Sequence, residues 1–163
     1  MAHVRLAEDR DLPQLAAVED AADARFAAVF DTTGWLAADS GEERAAEPGL
    51  LVVAGDPVVG FAHVLDLDGH WHLEQIAVHP DAGRHGVGSA LLAEVHAEVA
   101  RRGGTEVTLT TYRDVPWNAP FYAARGYVVV EDLAPFLAAI REHERALDLE
   151  RNGPRVAMVH RLR

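Results

Sequence analysis

The stretch VHPDAGRHGVGSALL, Val78 to Leu92, sets Gly83, Gly86 and Gly88, with Arg84 and His85, between a run that reads as a hydrophobic strand and one that reads as a hydrophobic helix. A strand that ends in a glycine-rich loop and turns into a helix gathers backbone N–H groups at the helix N-terminus. Unsatisfied donors and the helix dipole both favour an anion there. A dinucleotide loop would read G-x-G-x-x-G with an acidic residue about 20 positions on. Here the order is reversed, Gly83-x-x-Gly86-x-Gly88. A nucleoside triphosphate loop needs Gly-Lys-Ser or Gly-Lys-Thr, and the chain has neither.

What surrounds the loop reads as one α+β domain over residues 1–163. His3 to Ala7 is expected as a strand. Asp9 or Asp11 can cap a helix that reaches about Phe30, because Leu12, Leu15, Ala16, Val18 and Ala22 recur at helical spacing. Asp31-Thr32-Thr33-Gly34 breaks that pattern, and Trp35 to Glu47 reads as a second helix ending at Pro48. Leu50–Ala54, Val58–Leu65 and His70–Val78 then alternate as three antiparallel strands joined by short turns. Ser89 to Arg102 is an amphipathic helix closed by Gly103-Gly104. Glu106–Thr111 follows as a strand, Ala119–Arg125 as a short helix capped by Asn118, and Tyr127–Glu131 as a strand. Leu133–Leu149 is helical in pattern, and Pro154–Leu162 closes the chain as a strand.

Two segments together resemble the GCN5-related N-acetyltransferase (GNAT) superfamily. The end of the glycine loop, Gly86-Val87-Gly88, is similar to the superfamily's pyrophosphate loop, in which Arg or Gln usually stands where this chain has Gly83. Arg84 and His85 bring positive charge to the same loop. TYRDVPWNAPFYAARGY, Thr111 to Tyr127, resembles the superfamily's strand, short helix and Tyr-x-x-x-Gly-aromatic segment, with Tyr122, Gly126 and Tyr127 in matching places. The resemblance is good over Leu50 to Glu131. It implies a central mixed, mostly antiparallel twisted sheet of about seven strands flanked by helices and splayed between the fourth and fifth strands, His70–Val78 and Glu106–Thr111. The helix Leu133–Leu149 is longer than the common connection, and serves either a homodimer contact or a pocket.

The resemblance implies acetyl-CoA as cosubstrate; no metal is expected. It carries cofactor binding onto the strand edge Ile76, Ala77 and Val78, the loop Gly83, Arg84, His85, Gly86, Val87, Gly88 and Ser89, and Asn118, Tyr122 and Arg125. A strand edge beside an anion site can bond the amides of an extended pantetheine arm as an added strand would. Acetyl transfer to an amine needs a proton acceptor, since a lysine-like amine is protonated near neutrality, with a pKa of about 10.4. Glu74 is the first candidate and His72 the second; two apart on one strand, they are expected on the same face, together with Ile76 and Val78. The resemblance gives Tyr122 the general-acid role toward the leaving thiolate. A backbone N–H near Ala77 or Val78 is expected to meet the oxyanion. Phe30, Trp35 and Tyr112 are expected to border the acceptor.

Charge and composition narrow the partners. A net charge of −11 opposes the basic surface that nucleic acid binding needs and leans toward cationic partners. No window approaches 18 uninterrupted apolar residues, and MAHVRLAEDRD has no basic start followed by an apolar stretch, so a cytoplasmic protein free of membrane is expected. Absence of cysteine removes thiol nucleophiles and cysteine-ligated zinc. His70 and His72 share a face, but spacing fixes no third ligand. The expected function is acetyl transfer to a primary amine of a small molecule by direct attack in a ternary complex. The alternatives are a protein lysine or N-terminal acetyltransferase, and a noncatalytic acyl-CoA-binding module.

Overall fold

The computed structural model describes residues 2–163. Strand β1 (Val4–Leu6) leads into a helical run in three pieces: a 3-10 segment (Asp9–Gln14), helix α1 (Leu15–Asp23) and a second 3-10 segment (Ala24–Ala28). The sequence predicts one helix over this stretch, begun by Asp9 or Asp11. Glu8 precedes it instead, and the Asp11 carboxylate accepts the Glu8 N–H at 2.8 Å and a two-pronged pair from Arg5 at 2.6 and 2.9 Å. The second expected helix is far shorter: α2 spans only Gly41–Ala45. Its start is a capping box, in which the Ser40 hydroxyl accepts the Glu43 N–H at 3.0 Å and the Glu43 carboxylate accepts the Ser40 N–H.

Strands β2 (Gly49–Ala54), β3 (Gly60–Leu67) and β4 (His70–Val78) form the expected antiparallel meander, followed by α3 (Val87–Arg101), β5 (Glu106–Tyr112), α4 (Ala119–Ala123), β6 (Val128–Val130), α5 (Pro135–Ala146) and β7 (Arg155–Arg161). The seven strands form one mixed sheet in the order β1-β2-β3-β4-β5-β7-β6. All pairs are antiparallel except β4 with β5. Those two pair only at Trp71 with Val107 and His72 with Thr108, and beyond this rung they part, giving the splayed sheet.

Helix α3 covers one face, burying Val87, Leu91, Leu92, Val95 and Val99 against β2, β3, β4 and β5. Each such burial contributes about 1.5–3 kcal/mol. Gly104, after α3, has no room for a side chain, since a Cβ would lie 2.3 Å from Val99 and 2.7 Å from Trp71. On the other face α1 packs Leu15 and Val18 against Val53, Phe61 and Ala77. Helix α5 and the 3-10 turn after it (Leu149–Asn152) stand over β5 and β7, where Glu144 bonds Arg141, Arg155 and Thr110.

One irregularity in β4 corrects the expected facing of its side chains. His63 and Val64 are adjacent on β3, yet they pair with Gln75 and Leu73, so Glu74 is the extra residue of a β-bulge. The bulge reverses the alternation. Ile76 and Val78 pack on the α3 side, Ala77 joins the α1 side, and the predicted common face of His72 and Glu74 with Ile76 and Val78 does not form.

Candidate functional site

A cavity of about 770 Å³ runs from the start of α3, through the gap between β4 and β5, to the opposite side of the sheet. At its first end Gly86 is left-handed, with φ +75°, and directly precedes α3. The first intrahelical bond at this end is from the Ala90 N–H to the Gly86 carbonyl, so the N–H groups just before Ala90 are orphan donors of the helix start. Arg84 is also left-handed, with φ +65°. Gly83 has φ −64°, a backbone any residue adopts. Arg125, from the end of α4, donates to the Ser89 hydroxyl at 2.8 Å and stacks 3.7 Å over Phe121, so its guanidinium stands beside the α3 N-terminus. This set of N–H donors and cations suits a diphosphate.

The gap itself offers a strand edge. The His79 N–H bonds the Val59 carbonyl, and Phe61 and His63 pair with Ala77 and Gln75. By antiparallel alternation the polar backbone of Ala77 faces β3, while that of Ile76 and Val78 faces the gap. The Ile76 N–H is bonded by its neighbour's Gln75 side chain at 3.0 Å.

Tyr122 is buried on the cavity wall, and burial pushes its phenol well above the usual range; its hydroxyl makes no hydrogen bond among the described residues. Glu74 opens on the same cavity with its side chain still reached by solvent, and partial desolvation by the surrounding protein pushes its carboxyl up, outweighing the opposing charge of Arg44. His72 is 2% exposed and off the wall, bonded at Nδ1 to the Thr108 hydroxyl at 2.9 Å, and burial pulls its pKa down to about 4. Asn118 lines the cavity but its side chain does not cap α4. Its Oδ1 accepts from the Thr111 hydroxyl at 2.8 Å and the Tyr112 N–H at 3.4 Å, taking up groups at the end of β5.

The wall thus brings together Ile76, Ala77, Val78, Gly83, Arg84, Gly86, Val87, Gly88, Ser89, Asn118, Tyr122 and Arg125 with Glu74, Trp35 and Tyr112. His85 and Phe30 lie off it. Phe30 supports it from behind, edge-on to Tyr112 with ring centroids 4.7 Å apart. Sequence reasoning missed Phe26, which touches Phe30, Trp35, Tyr112 and Trp117 at centroid separations of 5.4, 5.4, 6.2 and 5.5 Å. It also missed Asp23, whose pKa burial and the neighbouring Glu19 and Asp20 raise to about 6. Helical spacing placed both residues on an ordinary amphipathic helix; nothing local marks them. The expected helix Leu133–Leu149 ends at Ala146, and the chain after it closes the far end of the cavity. Arg151 donates to the Thr33 carbonyl at 2.8 Å, and the Tyr112 hydroxyl donates to the Leu149 carbonyl at 2.9 Å.

Among the described residues no cluster of three or more His, Cys, Asp or Glu could hold a metal ion, and no helix is long and apolar enough to cross a membrane.

Comparison with known proteins fits this architecture. The pattern of the "Acetyltransferase (GNAT) family" matches residues 12–127. The chain belongs to that family. It is 37% identical over 87 residues to the tRNA(Met) cytidine acetyltransferase TmcA of Aeropyrum pernix, a match covering 53% of this chain and 11% of that protein's length. Among solved structures it resembles the ribosomal-protein-S18-alanine N-acetyltransferase of Escherichia coli, with a TM-score of 0.70, 19% identity, and coverage of 99% of this chain and 94% of the other. It also resembles the PaiA N-acetyltransferase of Thermoplasma acidophilum, solved in complex with coenzyme A, with a TM-score of 0.69, 17% identity and 99% coverage of each chain.

Proposed function

We propose that this protein is an acetyl-CoA-dependent N-acetyltransferase that acylates a primary amine of a small molecule by direct attack in a ternary complex. The observation that carries the reading is the single continuous cavity, which joins the anion-binding start of α3 to an acidic and aromatic pocket through the gap between β4 and β5. The bridge from Arg151 to Thr33 narrows the pocket's mouth, which favours a small acceptor over an extended peptide.

Acetyl-CoA supplies the acetyl group as a thioester, whose carbonyl carbon bonds the amine nitrogen as the C–S bond breaks and the thiol leaves. The orphan N–H groups at the start of α3, with Arg84 and Arg125, hold the diphosphate. Ile76 and Val78 meet the pantetheine amides along the gap, and the Gln75 carboxamide yields its bond to the Ile76 N–H as they bind. Glu74 accepts the amine proton; partial desolvation raises its basicity above that of an ordinary carboxylate, the direction that suits a general base. Tyr122 hands its phenolic proton to the leaving sulfur, and the Val78 N–H supports the developing oxyanion. His72 positions β4 at the head of the gap.

Incubation with acetyl-CoA and panels of small amines and basic peptides, followed by thiol release and mass spectrometry of the acetamide, tests the reading. Turnover of small amines is expected, falling in Tyr122→Phe with coenzyme A affinity unchanged. Exclusive turnover of peptides, or tight coenzyme A binding with no acceptor consumed, would contradict it.

A further inference from the structure

We propose that the acceptor carries a carboxylate as well as its amine, on a flat apolar body, and that Arg25 and Arg151 bind that carboxylate; this deepens, and rests on, the acetyl-transfer reading above. The chain holds 15 basic side chains against 26 acidic ones, and every basic one is arginine. Nine of these arginines lie within ion-pair distance of a carboxylate. Among the described residues six do not, and four of those six, Arg25, Arg84, Arg125 and Arg151, line the one cavity. In so acidic a chain an arginine with no carboxylate within ion-pair distance, set in a cavity wall, is open to a ligand's anion, even where, as at Arg151, the charge of Asp31 is felt from farther off.

The four divide by position. Arg84 and Arg125 adjoin the start of α3, where the diphosphate sits. Arg25 follows α1 and Arg151 follows α5, on the two segments that cover the other face of the sheet. Both guanidiniums are held without being used up. Among the described residues the Arg25 side chain stacks 4.4 Å over Trp117 and makes no hydrogen bond, while that of Arg151 donates through Nη2 alone, to the Thr33 carbonyl. A guanidinium fixed by its face or by one nitrogen keeps an edge for two-pronged carboxylate binding.

Phe26, Trp35, Tyr112 and Trp117 line the same cavity, backed by Phe30, with neighbouring ring centroids 4.7–6.4 Å apart. They form a bed for a flat apolar body. Glu74 and Asp23 open on the same space and suit the amine. The pocket is therefore two-poled, and a polycationic acceptor would bring its charges against both arginines.

Calorimetry on the protein saturated with coenzyme A, using L-phenylalanine, L-phenylalaninamide and phenethylamine, tests the inference apart from turnover. The acid is expected to bind at least about tenfold tighter than its amide, as a charge-assisted pair would give. Arg25→Gln and Arg151→Gln, both at exposed positions, should each shrink that ratio while leaving coenzyme A affinity unchanged. An amide or amine that binds as tightly as the acid overturns the proposal; so does a ratio that survives both substitutions, or a loss of coenzyme A affinity in either. Preferential binding of the acid without acetylation would count against the acetyl-transfer reading and support the carboxylate site. Acetylation of phenethylamine in preference to L-phenylalanine would do the reverse.

Discussion

His72 Nδ1 sits 2.9 Å from the Thr108 hydroxyl, on the last rung at which β4 and β5 are paired. Both residues are buried, and the Thr108 hydroxyl also reaches the Trp71 carbonyl at 3.5 Å. The contact lies at the point from which the two strands part, where it ties β4 to β5. Replacing Thr108 with Val keeps the shape and strands the imidazole nitrogen, which costs about 1–3 kcal/mol. Urea unfolding at pH 7 should find Thr108→Val less stable by that amount with an unchanged slope. A variant as stable as the parent would remove this role.

Glu74→Gln should lower kcat/KM by roughly 10²–10⁴ while acetyl-CoA affinity holds. In the parent the carboxyl must be ionised to accept the amine proton. Activity should therefore rise with pH through a pKa above the ordinary value of 4.5, because partial desolvation by the surrounding protein holds the folded carboxyl up. The limb belonging to Glu74 should vanish from the pH–rate profile of the variant. Its persistence would assign the base elsewhere.

Gly86 and Gly83 should respond differently to substitution. At Gly86, φ is +75°, where an L side chain costs about 1–2 kcal/mol and a β-branched one more, and where the chain turns into α3. Gly86→Val should lose coenzyme A affinity in a direct binding titration. Gly83 has an ordinary backbone, and although a Cβ there would lie a tight 3.1 Å from the Pro80 carbonyl, a shift of a few tenths of an ångström relieves it, so Gly83→Ala should bind within a few-fold of the parent. Equal losses in both would mean that the left-handed turn is not what shapes the loop.

Stability should fall with pH below about 6.5. Burial lowers the pKa values of His63, His72 and His96 from 6.5 to about 4, helped at His63 by Arg44 and at His96 by His160. The unfolded chain binds these protons first, so the stability present above 6.5 is lost as pH falls toward 4, at up to about 1.4 kcal/mol per pH unit for each histidine. Asp23, raised to about 6 by burial and by Glu19 and Asp20, opposes this, since its folded form takes up a proton that the unfolded chain still lacks. Denaturation midpoints at several pH values should show the decline, and Asp23→Asn should steepen it. A midpoint that rises on acidification would contradict the assignment.

Much of the strand framework could be read from apolar runs bounded by turns, because β2 is buried almost throughout and β3 over its first five residues. The glycine loop and the Tyr122 to Tyr127 segment point to the splayed sheet through the family they resemble, and the brief β4–β5 pairing agrees. The bulge at Glu74 was not legible, since it arises from pairing with His63 and Val64 rather than from local residue choice, and it changes which side chains share a face. The short α2 was legible in principle: Ser40 to Glu43 has the spacing of a capping box, although Trp35 and Leu36 invited an earlier start. The buried pair of Arg44 with Glu19 at 2.7 Å, and the 2.9 Å contact of Arg44 with His63, join residues from α2, α1 and β3, and no spacing announces them. The acceptor pocket is equally non-local, with Phe26, Tyr112 and Arg151 supplied by distant segments.

The central claim is that main-chain amides at the head of α3 grip the diphosphate of acetyl-CoA and aim the thioester into the gap beside Val78. Calorimetric titration of acetyl-CoA into the folded protein tests it most directly. One molecule should bind per chain, with the affinity lost in Gly86→Val and retained in Glu74→Gln. No heat of binding to the folded parent, or undiminished affinity in Gly86→Val, would contradict the account.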